Sequence, residues 1–155
     1  MNQDAHMMDK LTRQIPHQEP FRFIDKITYV DDERIEGQYC FHPHQPFYGG
    51  HFPGCPVTPG VLLIEVMAQI GLVAFGLYLL TKTAKADDVL ASYIPVLASA
   101  DIKFIKKVLP GDTVFVKAKK QTFRHGKLIC AVALLDHQGA ITAEGSLTGF
   151  MAGKN

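Results

Sequence analysis

The chain has 155 residues, of which 47% are hydrophobic and 20% charged. That balance excludes a disordered chain, and the length suits one domain, 1–155, with enough buried surface to need no disulfide staples. Sixteen Lys+Arg against fifteen Asp+Glu leave a formal charge of +1, so no whole-molecule field recruits nucleic acid or an anionic membrane.

Residues 1–14 are a polar N-terminal segment with a weak helical pattern around Met7–Thr12. The start lacks the apolar stretch of a secretory signal. Phe21–Val30 and Arg34–Phe41 read as strands joined at the Asp31-Asp32 turn signal. From His42 to Pro59, prolines 43, 46, 53, 56 and 59 with glycines 49, 50 and 54 interrupt every helix or ladder. An ordered loop that long inside a small domain is usually functional. Thr58 is a good N-cap, Pro59 suits the first helical position and Gly60 follows.

Val61–Leu80 is apolar nearly all round, the pattern of a helix covered on all sides. It is long enough to raise the membrane question. It also carries Glu65, Gln69, Gly71 and Gly76 and has no basic flank on its N-terminal side, so the better reading is a buried core helix. Thr81–Asp88 reads as a polar surface connection, and Ser92–Ala98 and Asp101–Val108 as strands. After the Leu109-Pro110-Gly111-Asp112 turn, Thr113–Thr122 alternates Val114, Val116 and Ala118 against Lys117, Lys119 and Gln121, the period of a half-exposed strand. Lys127–Leu135 and Ala140–Met151 complete the set around a hairpin turn at His137-Gln138-Gly139. The expected class is α+β: one long central helix wrapped by one antiparallel sheet of about six strands. The far face of the helix is apolar too, and a second copy of the chain is the simplest cover for it.

From Gly37 through Thr81, Glu65 is the only Asp, Glu, Lys or Arg. Its helical neighbours Val61, Leu62, Ala68 and Gln69 offer no cation. An unpaired ionised carboxyl in such a setting is costly, so the expectation is a raised pKa and a role as general acid. The bland alternative is a helix edge wetted by solvent, or pairing with a distant Lys or Arg. His51 lies fourteen residues earlier in the Pro/Gly loop, within Phe47-Tyr48-Gly49-Gly50-His51-Phe52-Pro53-Gly54. Imidazole is the side chain best suited to take a proton near pH 7. Gly60, at the helix start, offers a backbone N–H with no Cβ to block approach, a donor for a developing oxyanion. A base, an acid and an oxyanion donor together suit removal of water from a 3-hydroxyacyl thioester.

The run from Gly50 through Gly60 (GHFPGCPVTPG), followed by Ile64-Glu65-Val66-Met67-Ala68-Gln69, resembles the 3-hydroxyacyl-acyl-carrier-protein dehydratases of bacterial fatty-acid synthesis, the FabZ type most closely. The likeness extends through Ile15–Asp25, Pro46-Phe47, Ala100–Phe104 and Leu109–Asp112, roughly residues 15–150. It implies a hotdog fold and a homodimer with its active sites at the subunit interface, with a trimer of dimers as a compatible larger assembly. By motif position His51 is the base, Glu65 of the other protomer the acid, and the Gly60 N–H the holder of the thioester carbonyl. Phe52, Val57 and Gln69 are further candidates to bind substrate. Glu rather than Asp as the acid favours the FabZ type over the isomerising FabA type. No metal or redox cofactor is implied; the substrate rides on the phosphopantetheine arm of acyl carrier protein, its chain in an apolar tunnel beside the helix.

Three positions depart from the family pattern. Cys55 stands where His is usual, Thr58 where Met is usual, and Gln18 where Arg is usual. Cys55 is either an inert small residue or a change at the tunnel mouth, and a specialised polyketide or polyene-type acyl pathway is one reading of the divergence. Acyl carrier proteins are acidic, so a basic docking patch is expected, with Lys103, Lys106, Lys107 and Arg124 as candidates. His42, His44 and Cys40 show no tetrahedral metal spacing. Cys40, Cys55 and Cys130 are odd in number and widely spaced, which suits a reducing cytoplasm. A hotdog thioesterase and a non-catalytic acyl-binding or dehydratase-partner subunit are the competing readings.

Overall fold

In the computed structural model, which describes residues 2–154, six strands form one antiparallel sheet. They are β1 (Lys26–Val30), β2 (Arg34–Cys40), β3 (Tyr93–Phe104), β4 (Thr113–Arg124), β5 (Lys127–Leu135) and β6 (Ile141–Gly153), in the order β1-β2-β4-β5-β6-β3. Alternation in sequence becomes alternation in burial. Val114, Val116 and Ala118 of β4 point inward while Lys117 and Lys119 face out, and β5 buries Leu128, Cys130, Val132 and Leu134. Those inner faces close on the central helix Gly60–Leu80, whose Val66, Met67, Ile70 and Phe75 have no solvent exposure.

The helix is long and apolar enough to span a membrane, yet 61% of its apolar window is buried within this fold. Its middle, Gln69–Ala74, is π-helical, and the Cys130 thiol donates to the Gly71 carbonyl at 3.4 Å. Helix and sheet approach closely there: a Cβ on Gly71 would lie 3.0 Å from that of Ala118. An N-terminal helix, Gln3–Gln14, extends beyond the expected Met7–Thr12 because Asn2 caps it. It docks by Leu11 and by Thr12, whose hydroxyl accepts from the Ile27 N–H at 3.0 Å.

Four elements differ from their sequence reading. The expected strand Phe21–Val30 shrinks to β1, since the Gln69 amide takes the Phe23 N–H and the Phe21 carbonyl that a ladder partner would otherwise use. The two strands expected over Ser92–Val108 are one, β3, with a bulge between Leu97 and Ser99. The expected polar connection Thr81–Asp88 gives way to a short helix at Ala86–Ser92, with Asp87 and Asp88 suiting its first turn. Pro59, not Thr58, occupies the N-cap of the central helix; the buried Thr58 hydroxyl instead meets the Tyr48 hydroxyl at 2.6 Å.

Candidate active site

The Pro/Gly loop is ordered by its own hydrogen bonds. The His51 N–H donates to the Phe47 carbonyl at 3.0 Å, and the Val57 N–H to the His51 carbonyl at 2.9 Å. Phe52 and Cys55 exchange backbone bonds at 3.2 and 2.9 Å. The imidazole is held at one nitrogen: His51 Nδ1 lies 2.7 Å from the Val57 carbonyl. A carbonyl can only accept, so in the neutral ring Nδ1 carries the proton and Nε2 keeps its lone pair free. Val57 therefore serves through its backbone as the orienter of His51. Phe52, 54% exposed, stacks on the imidazole with centroids 4.2 Å apart. Cys55 is exposed and free.

Glu65 faces one end of a cavity of about 180 Å³ that runs beside the central helix. From the helix, Ala68, Leu72, Val73, Gly76 and Leu80 line it; Val96 and Leu97 of β3 and Phe150 of β6 are among the residues on the sheet side. At 1.5 Å per residue, Glu65 to Leu80 spans about 22 Å. Apart from His17 and Glu65, every lining side chain is apolar or glycine. The Glu65 Oε1 accepts from the Gln69 Nε2 at 2.9 Å. The carboxyl is not sealed, since 20% of its side chain stays accessible.

Gln69, read from sequence as a candidate to bind substrate, has its amide engaged within the chain. It has no solvent exposure, and its amide is spent on Glu65, the Phe21 carbonyl at 3.0 Å and the Phe23 N–H at 2.7 Å. It ties the Glu65 carboxyl to the backbone at Phe21 and Phe23. His17, which sequence reasoning left without a role, places its Nε2 3.7 Å from the Glu65 Oε1. Burial and, to a smaller degree, Arg22 lower the His17 pKa, with Glu65 opposing them. The approach joins residues 48 positions apart in sequence, and the family resemblance, although it spans Ile15–Asp25, gave His17 no role.

Gly60 heads the helix, and its N–H makes no hydrogen bond among the described residues. Its missing Cβ makes room for a ring: a Cβ there would lie 3.1 Å from Phe104 Cζ. Within one protomer His51 and Gly60 do not line the cavity that Glu65 faces. The expected basic patch also divides. Lys103, Lys106 and Lys107 follow or end β3 beside Phe104, at the Gly60 end of the helix. Arg124 pairs in register with Lys127, and through Phe150 with Val96, seven residues from Lys103 along β3. That separation is about 23 Å. Lys106 is already bonded to Asp136 at 2.7 Å. Among the described residues no three His, Cys, Asp or Glu side chains gather as metal ligands.

A six-stranded antiparallel sheet wrapped round one long central helix defines the hotdog class of folds. Solved structures agree on the fold. The dehydratase heterocomplex ApeI:P from Xenorhabdus doucetiae superposes with a TM-score of 0.74 at 16% identity, over 93% of this chain and 91% of that one. A thioesterase from Pseudomonas aeruginosa gives 0.63 at 12% identity, over 95% and 94%. Within that class the chain belongs to the FabA-like domain family, which residues 15–145 match. It is 33% identical over 151 residues, 96% of this chain and 95% of the relative, to the 3-hydroxyacyl-[acyl-carrier-protein] dehydratase FabZ of Geobacter metallireducens.

Proposed function

We propose that the protein dehydrates 3-hydroxyacyl thioesters carried on acyl carrier protein to trans-2-enoyl thioesters. The observation that carries this reading is the single carboxyl, Glu65, presented beside His17 to an elongated cavity whose other lining side chains are apolar or glycine. The His51 Nε2 takes the proton from the carbon beside the thioester carbonyl. The Gly60 N–H receives the charge that develops on the carbonyl oxygen. Glu65 gives its proton to the 3-hydroxyl, which leaves as water. Phe52 shields the imidazole, and Gln69 and Val57 hold the acid and the base. The resemblance to FabZ enzymes supports this assignment, and the substrate supplies its own phosphopantetheine arm.

The site is assembled by two protomers. Supporting this, His51 and Gly60 stand apart from the Glu65 cavity in one chain. In addition, β3 is an edge strand paired only to β6, with Tyr93, Ile94, Val96 and Leu97 all at least 36% exposed. An apolar unpaired edge is a template for a second strand, and a second copy satisfies it. Acyl carrier protein docks by Lys103 and Lys107 near the Gly60 end, where the thioester enters. The free thiols fit a cytoplasmic enzyme.

The test is product analysis with 3-hydroxyacyl-acyl carrier protein. Wild type is expected to release enoyl thioester and water, and His51→Ala and Glu65→Gln to fall by ~10²–10⁴ in kcat. Free acid as the main product would instead identify a thioesterase. Variants as fast as wild type would remove both residues from the mechanism.

A further inference from the structure

Among the described cavity-lining residues, His17 is the one titratable side chain besides Glu65, and the reaction as written does not use it. Its side chain is 19% exposed, and its two nitrogens differ in surroundings. Nε2 faces the Glu65 Oε1 at 3.7 Å, whereas Nδ1 is buried with no hydrogen-bond partner among the described residues. With its pKa lowered by burial, the ring is neutral at pH 7 and carries one proton. Placed on Nδ1, that proton would be a buried donor with nothing to meet, a cost of about 1–3 kcal/mol. Placed on Nε2, it points at the Glu65 Oε1, an acceptor. The proton therefore belongs on Nε2.

The backbone that carries the ring is pinned as well. Arg22 Nη1 donates to the His17 carbonyl at 3.2 Å, and Nη2 donates to the Thr12 carbonyl. Thr12 in turn fixes the start of β1 through the Ile27 N–H. Gln18, which replaces the usual Arg of the family pattern, is exposed and forms none of these bonds. A guanidinium that clamps this turn is thus supplied from position 22.

We propose that His17 is a positioning residue for Glu65. Its Nε2–H and the Gln69 amide converge on Oε1, which turns Oε2 to the substrate hydroxyl. The 3.7 Å approach is longer than a hydrogen bond and closes when substrate fills the site, as loose contacts of unliganded sites do. The partnerless Nδ1 gives a proton no exit on that side, so His17 orients the acid and is not a relay. The inference rests on Glu65 as the acid of the dehydration.

Two measurements test it. In ¹⁵N-histidine NMR of the wild-type protein at pH 7, His17 should show the Nε2–H tautomer; the Nδ1–H tautomer would overturn the proposal, and this reading needs no variant to fold. In kinetics, His17→Gln keeps a donor near the Nε2 position, whereas His17→Phe keeps the bulk and loses the donor. The expected order is His17→Gln within about threefold of wild-type kcat and His17→Phe lower by about tenfold or more, both with KM little changed. A packing role predicts the reverse order, and that order, or equal activity in both, would refute the assignment. If Glu65→Gln dehydrates as fast as wild type, the acid reading itself fails, whichever tautomer is observed.

Discussion

At the scale of single residues, the site is a set of side chains whose free atoms are defined by what their other atoms already hold. His51 has one nitrogen tied to the Val57 carbonyl, and Glu65 has one oxygen tied to Gln69. Burial lowers the His17 pKa below 6.5, so protonating it favours the unfolded chain. The linked stability is complete above pH 6.5 and is lost as pH falls from there toward the folded value. The melting temperature of wild type should thus drop more between about pH 7 and about pH 5.5 than that of His17→Gln; equal drops would show that this ring is not desolvated. Thiol reactivity gives a second check. Desolvation pushes the Cys130 thiol up to about 12, while Cys55 is exposed. Iodoacetamide should modify Cys55 in the native protein and reach Cys130 only after unfolding, and early modification of Cys130 would contradict the packing described. His51 and Glu65 stand out as candidates in sequence because a Pro/Gly loop frames the first and a charge-free window isolates the second. The contacts of Gln69 and His17 do not stand out: a helix apolar all round does not say which way its one amide turns, and a His in a turn has no periodicity to reveal a contact 48 residues on.

At the scale of elements, the central helix carries, beyond Gly60 at its head, two glycines with opposite constraints. A Cβ on Gly71 would meet the Ala118 Cβ at 3.0 Å, whereas one on Gly76 finds its nearest neighbour, Leu128, at 3.8 Å. Gly76→Ala should gain about 0.5–1 kcal/mol from helix propensity. Gly71→Ala should lose about 1–3 kcal/mol to overpacking. Urea unfolding of the pair checks this, and equal effects would contradict the close helix–sheet approach. Gly76 also lines the cavity, so Gly76→Leu should cut turnover of long acyl chains while sparing short ones, read by mass spectrometry of products. Strands β2, β4 and β5 were legible because each half-buried face writes itself as alternation. Strand β3 was harder to bound: most of it is exposed in the single chain, and a bulge breaks its register after Leu97. The shortened first strand depends on a side-chain amide replacing a ladder partner, a tertiary fact with no local signal.

At the scale of the whole molecule, His51 and Gly60 do not line the cavity that Glu65 faces in a single chain. The proposed second copy would pair on the open, apolar β3 edge, and the proposed docking of acyl carrier protein would use the exposed Lys103 and Lys107 at the Gly60 end. Charge reversal at Lys103 and Lys107 should raise KM for substrates on acyl carrier protein and leave small pantetheine thioesters unaffected; equal effects on both would place docking elsewhere. The most direct measurement is complementation between two inactive proteins, His51→Ala and Glu65→Gln, refolded together. If base and acid come from opposite protomers, each mixed dimer regains one intact site, and a 1:1 mixture should recover about a quarter of wild-type activity. Failure to regain activity in verified mixed dimers would contradict the shared site.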